Sequence, residues 1–129
     1  MQLIKSIVSS LLLTSLCQAT VVWDYQQGAT KLVHGNIDIV LDEYRAKYPS
    51  HNIVITSGYR TKCKQLKLGG KLTSHHLKPG TARDIRIYDM PSHLRFRLRN
   101  FLCKRGLYVL TEHDHFHVSV SYRKCNGSI

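Results

Sequence analysis

The chain has 129 residues, 43% of them hydrophobic, and a formal charge of +11. That length leaves room for one small domain, whose core buries about two-thirds of the unfolded surface. The charge favours polyanionic partners. The lysines of Lys62–Lys71 have no interleaved aromatics on which bases could stack, so no specific nucleic acid is expected.

Residues 1–19 read as a signal peptide: Lys5, an apolar run from Ile7 to Leu16, then Cys17-Gln-Ala19 as a small-residue cleavage pattern before Thr20. The run is shorter than the roughly 20 residues a spanning helix needs. A buried N-terminal helix is the alternative; lipid attachment at Cys17 is disfavoured by the bulky Leu16. The expectation is a secreted or periplasmic protein with its domain in residues 20–129. Three cysteines then remain, Cys63, Cys103 and Cys125, of which two can pair in an oxidising compartment. Their spacing does not say which two.

Val21-Val-Trp23 can pack on an edge, although residues 21–31 show no clear periodicity. From Val33, apolar residues recur at helical spacing through Ile37, Val40, Leu41, Tyr44 and Tyr48. Gly35 delays the helix to Asn36 or Ile37, and Pro49 ends it. Asn52–Thr56 is β-branched and reads as a strand that delivers Ser57-Gly-Tyr-Arg60. Residues 61–81 read as one long connection, and such a loop in a small domain is usually functional. Ala82–Tyr88 returns to extended structure, with Ile85 and Ile87 on one face and Asp84 and Arg86 on the other. Asp89 or Ser92 caps a second helix with Leu94, Leu98, Phe101 and Leu102 inward, and Gly106 ends it. Leu107–Leu110 and Phe116–Ser121 form a closing antiparallel hairpin. The fold class is α+β: a small single domain, a short antiparallel sheet and flanking helices.

Two stretches concentrate imidazoles and carboxylates, Ser74–Asp84 and Glu112–His117. Strand alternation turns His115 and His117 to one face, opposite Phe116 and Val118. Zn2+ held by His76, Asp84 and His117 leaves its fourth position to water, which the ion acidifies to a pKa of about 7. Asp114, three residues before His117, flanks the ion as a proton acceptor. Glu112 and His115 fit the same spacing two residues earlier, and alternation does not choose between the two registers. His34, His51 and His93 read as ordinary surface histidines.

Ser57-Gly-Tyr-Arg60, Ser74-x-His76, Gly80-x-Ala82-x-Asp84 and Asp114-x-x-His117-Val118 together resemble one family. It is the zinc D-alanyl-D-alanine carboxypeptidase and L-alanyl-D-glutamate endopeptidase family, which includes many phage endolysins and has a Hedgehog-like fold. The resemblance covers roughly residues 33–121, in the family's motif order. Seven residues separate His76 from Asp84, one more than the family pattern. The resemblance implies His76, Asp84 and His117 as zinc ligands, Asp114 as catalytic acid/base and Arg60 as the residue that orients substrate. It also implies a metallopeptidase, most simply a monomer, acting on peptidoglycan stem peptides, with acidic cell-wall polymers as further partners. A zinc-containing binding protein of the same fold, without catalysis, is the competing expectation.

Overall fold

The computed structural model describes residues 21–24, 29–30 and 33–125. The expected signal segment, with Cys17, lies outside them. In chain order the elements are β1 (Val21–Trp23), α1 (Asn36–Lys47), β2 (Ile53–Ser57), α2 (Lys62–Lys67), a 3-10 turn (His75–Leu77), β3 (Ala82–Arg86), α3 (Ser92–Lys104), β4 (Tyr108–Thr111) and β5 (His115–Ser119). The strands form one sheet in the order β1-β2-β3-β5-β4. The four strands from β2 to β4 pair antiparallel, and β1 adds in parallel along the edge of β2. The domain is therefore α+β, with a mixed sheet where a purely antiparallel one was expected. Among the described residues no helix is long and apolar enough to cross a membrane.

The expected periodicities locate the core. Ile37, Leu41 and Tyr44 of α1 and Leu98 and Leu102 of α3 are fully buried against Ile53, Ile55, Ile85, Phe116 and Val118 of the sheet. The helices thus cover one sheet face, and the alternate residues of β2, β3 and β5 point to the other.

Four details depart from the expectations. Residues 61–81 are not a plain loop, because they contain α2, capped by the Thr61 hydroxyl accepting from the Lys64 amide. Apolar periodicity does not mark α2, since Leu66 points to solvent. No side chain caps α3, where Pro91 occupies the N-cap position. Val33 is exposed and lies before the helix. His51 is no surface histidine: it is 4% exposed and stands 2.6 Å from the Tyr44 hydroxyl.

Cys103 and Cys125 are joined in a disulfide, while Cys63 is free and exposed. The bond ties the end of α3 to the chain beyond β5. By closing a loop of this size it contributes roughly 2–4 kcal/mol.

Arg83 and Asp38 form a buried ion pair. Arg83 of β3, whose neighbours Ala82 and Asp84 face the other way, reaches Asp38 of α1 with Nε at 3.1 Å and a terminal nitrogen at 2.9 Å. Two further donors go to the carbonyls of Ala82 and Val33, and Cζ lies 4.9 Å from the centroid of the Trp23 ring. Asp38 also accepts from the Gly35 amide at 2.8 Å, which fixes the start of α1. Asp38→Asn should cost about 3 kcal/mol in denaturant unfolding, because it strands a buried guanidinium. A loss below about 1 kcal/mol would assign the burial of Arg83 to its carbonyls and Trp23 instead.

Candidate metal centre

The sheet face opposite α1 and α3 carries Asp84 on β3 and His117 on β5, and the two are direct cross-strand partners. A register shift in β2 between Ile55 and Ser57 aligns Ser57 with Asp84. Such bulges re-aim side chains at sheet ends. Beyond Ser57 the chain turns through Gly58, where a Cβ would lie 2.5 Å from the Thr30 carbonyl oxygen. Only glycine fits that approach. The Arg60 amide then donates to the His76 carbonyl at 2.8 Å, which docks the 3-10 turn over the sheet.

Within the turn, the Ser74 hydroxyl accepts from the His76 amide at 3.2 Å. Thr81 donates to the carbonyls of His75 or Lys78, at 2.7 and 2.9 Å, and closes the segment between His76 and β3. Gly80 in that segment has φ +76 and packs on Gly35, where a Cβ would stand 2.3 Å from the Gly80 oxygen. The longer spacing between His76 and Asp84 is thus taken up in a turn that holds its own hydrogen bonds.

The result is a compact donor set. His76 Nε2 lies 3.1 Å from Asp84 Oδ1, His117 Nδ1 lies 3.1 Å from the same oxygen, and the two ring nitrogens are 3.2 Å apart. Four-coordinate zinc with bonds of about 2.0 Å sets its donors roughly 3.3 Å apart, so the triangle has the right size. The protonation pattern agrees. His76 Nδ1 lies 2.6 Å from the Gly58 carbonyl, an acceptor only, so Nδ1 carries the proton. In the neutral ring the Nε2 lone pair then faces a carboxylate and a second imidazole. Lone pairs crowd there unless a cation, a proton or a metal, sits among them. These are the three residues of the described chain that can hold an ion together.

Electrostatics favour that set. Burial alone raises the pKa of Asp84, which is 5% exposed. With a proton among these donors, hydrogen bonds from His117 and His76, with the charge of His76 and His115, outweigh the burial and hold the carboxyl well below the usual range. Arg60 adds a terminal nitrogen at 3.0 Å from Asp84 Oδ2, leaving Oδ1 to the imidazoles. Arg60 is itself gripped by Ser57 Oγ at 2.9 Å and Gln65 Oε1 at 3.1 Å. Ser57 belongs to the Ser57-Gly-Tyr-Arg60 motif, where no role was expected of it, and Gln65 did not stand out in the sequence. Gln65 lies in the unexpected helix α2, where it is buried on the side facing Arg60.

Asp114 is placed differently. It is exposed in the turn before β5, and its carboxylate lies 2.7 Å from His115 Nδ1. That hydrogen bond lowers its pKa, so it is ionised at neutral pH. His115 Nε2 in turn stands 3.7 Å from Asp84 Oδ1. The structure thus brings His76, Asp84, His117 and Arg60 together directly, and Asp114 approaches them through His115. Glu112 is exposed, and its amide donates to the His115 carbonyl at 2.9 Å. The role of His115 as a link was not foreseen, although alternation had put it on the right face.

The geometry can therefore hold one divalent ion among the buried His76 and Asp84 and the part-buried His117, with Arg60 on Asp84 and the Asp114 carboxylate behind His115. A family model described as Peptidase M15 matches residues 10–119. Neither the curated proteins nor the solved structures yield a match.

Proposed function

The chain belongs to the Peptidase M15 family, a family of zinc-dependent peptidases, and from that premise we propose an exported zinc metallopeptidase that hydrolyses stem peptides of bacterial peptidoglycan. The observation that carries this reading is the His76–Asp84–His117 triangle, with donors 3.1–3.2 Å apart. Zinc held there supplies a Lewis acid that activates water and polarises a carbonyl. In the proposal Asp114 takes a proton from the attacking water and returns it to the leaving amine. Its lowered pKa suits the first half of that task, because the carboxylate is ready to accept.

Arg60 would orient the substrate. A guanidinium carries five N–H donors, and the protein engages three of those on Arg60. Two remain for a carboxylate of the peptide, on a side chain that is 17% exposed. The segment 61–81 around it holds five lysines and no carboxylate, which favours an acidic substrate. Export is supported by the apolar run Ile7–Leu16 and by a disulfide, which persists in oxidising compartments. All proposed groups come from one chain, so a monomer suffices.

Arg60→Lys should lower kcat/KM on stem peptides roughly tenfold or more, since an ammonium cannot hold Ser57, Gln65, Asp84 and a carboxylate at once. Zinc content should stay. Unchanged kinetics would reduce Arg60 to a support for Asp84. The decisive experiment for the activity is digestion of purified peptidoglycan with and without chelator, read by mass spectrometry of the fragments. New amine and carboxyl termini that disappear with chelator support the proposal. Zinc-loaded protein that leaves every stem peptide intact would make it a binding protein of the same fold.

A further inference from the structure

A groove of about 490 Å³ opens between the end of α3 and the segment that follows β5. Cys103 and Lys104 line it from the helix, and Tyr122, Arg123, Lys124 and Cys125 line it from the later segment. That segment is tied at both ends. The disulfide holds Cys125 to Cys103 with Cα atoms 5.8 Å apart, and the Val120 amide donates to the Thr81 carbonyl at 2.9 Å. Cys125 Sγ also lies 3.3 Å from the carbonyl of Leu107, just before β4. The groove therefore has fixed sides and needs no ligand to form it.

The charge around it has one sign. Lys104, Arg123 and Lys124 are exposed, none is in an ion pair among the described residues, and no residue that lines the groove is acidic. Arg105, the next cation along the chain, is instead taken by Glu43. Between Met90 and Cys125 the chain has two carboxylates, Glu112 and Asp114, both in the turn between β4 and β5. The groove adjoins the opposite end of that hairpin, where Leu107 and Ser121 line it. Strand rise puts the turn roughly 15 Å away, beyond the screening length of about 8 Å in physiological salt. Beside the cations the Tyr122 ring is 94% exposed. Burial does not explain a tyrosine there, and its apolar face is open to a ligand. The rim thus suits a chain that repeats anions between apolar CH surfaces.

We propose that this groove binds an anionic cell-wall polymer, a chain of sugars or polyols joined by phosphodiesters, with phosphates on Lys104, Arg123 and Lys124 and a CH face on the Tyr122 ring. The choice of a polyanion rests on the three unpaired cations and the ring. The choice of a wall polymer over a nucleic acid, which shares the phosphodiester chemistry, rests on the proposed export and peptidase activity. The groove contains no residue of the metal centre, yet the two are joined through backbone. Val120 donates to Thr81, and the Thr81 hydroxyl lies 2.7 Å from the carbonyl of His75, next to His76. A strand in the groove keeps the metal centre beside the wall and leaves it free for a peptide.

The test is a titration of the zinc-loaded protein with poly(glycerol phosphate) in physiological salt, beside a single-stranded oligonucleotide of equal charge. Two triple variants lose the same charge: Lys104→Gln, Arg123→Gln and Lys124→Gln in the groove, and Lys62→Gln, Lys67→Gln and Lys71→Gln outside it. The groove variant should bind poly(glycerol phosphate) about tenfold more weakly or worse. The outer variant should lose less than about threefold, because screening confines the effect to nearby charges. Tyr122→Ser should weaken the polymer about threefold with no change in charge. Zinc content and cleavage of soluble stem peptides should be unchanged in the groove variants. Equal losses in the two triple variants, or no binding by the wild type, overturn the groove and leave the peptidase reading intact. An oligonucleotide that binds the groove more tightly than poly(glycerol phosphate) overturns the wall polymer in favour of nucleic acid. Groove-dependent polymer binding in a protein that cleaves no stem peptide supports the groove and removes the peptidase reading.

Discussion

His117→Ala is expected to remove most of the zinc that the wild-type protein binds. Three protein donors are the usual minimum for a zinc site with an open position, and two leave a poor one. Even a partner one shell out from the metal changes affinity by roughly 10–100-fold, so losing a ligand should cost more than that. His117 Nδ1 sits 3.1 Å from Asp84 Oδ1 and 3.2 Å from His76 Nε2, and no neighbouring nitrogen can take its place without moving. His115 is the nearest substitute, but its Nε2 is 3.7 Å from Asp84 and its other nitrogen is engaged by Asp114. His115→Ala should therefore keep its zinc. Elemental analysis of both variants at equal protein concentration decides the matter. Full occupancy in His117→Ala together with loss in His115→Ala would move the ligand role to His115.

The second large effect concerns Asp114→Asn, which keeps size and polarity but removes the ability to accept a proton. Zinc should remain, because His76, Asp84 and His117 are untouched. The rate on stem peptides should fall by about 10²–10⁴-fold, the usual worth of a positioned general base. The hydrogen bond to His115 makes the expectation sharper, since an amide oxygen can still accept there and the ring need not move. Glu112→Gln is the matched control and should be nearly silent, because Glu112 is exposed and its amide is what binds the His115 carbonyl. If Glu112→Gln carries the loss and Asp114→Asn does not, the base is Glu112. If both variants keep zinc and full activity, neither carboxylate is the base.

These experiments turn on a choice that the order of residues leaves open. Period-two alternation was enough to place Asp84 and Arg86 on one face of β3, and His115 and His117 on one face of β5. Apolar spacing was likewise enough for α1 and α3, because Ile37, Leu41, Leu98 and Leu102 repeat at helical intervals and all four are buried. Such patterns are local, and each follows from the geometry of a single element.

What they do not contain is which elements meet. The histidine that joins His76 was decided by the pairing of β3 with β5, which puts Asp84 opposite His117 and Arg86 opposite His115. Alternation is blind to a shift of two residues, so only the cross-strand register separates the pair. The same holds for other long-range partners. Arg83 finds Asp38 forty-five positions away, Cys125 takes Cys103 rather than Cys63, and Arg60 spends a nitrogen on Asp84. His51 shows the limit most plainly. On a basic chain with eight histidines it read as an ordinary surface residue, yet the ring is buried beside Tyr44 at the head of β2. The sequence by itself determined α1, α3 and the strands β2 to β5, with the faces on which their residues lie, since these depend on neighbours along the chain. The tertiary structure alone decided the metal triangle, the buried ion pair and the disulfide. Each of those is a contact between distant segments, set by strand register and by how the helices close over the sheet.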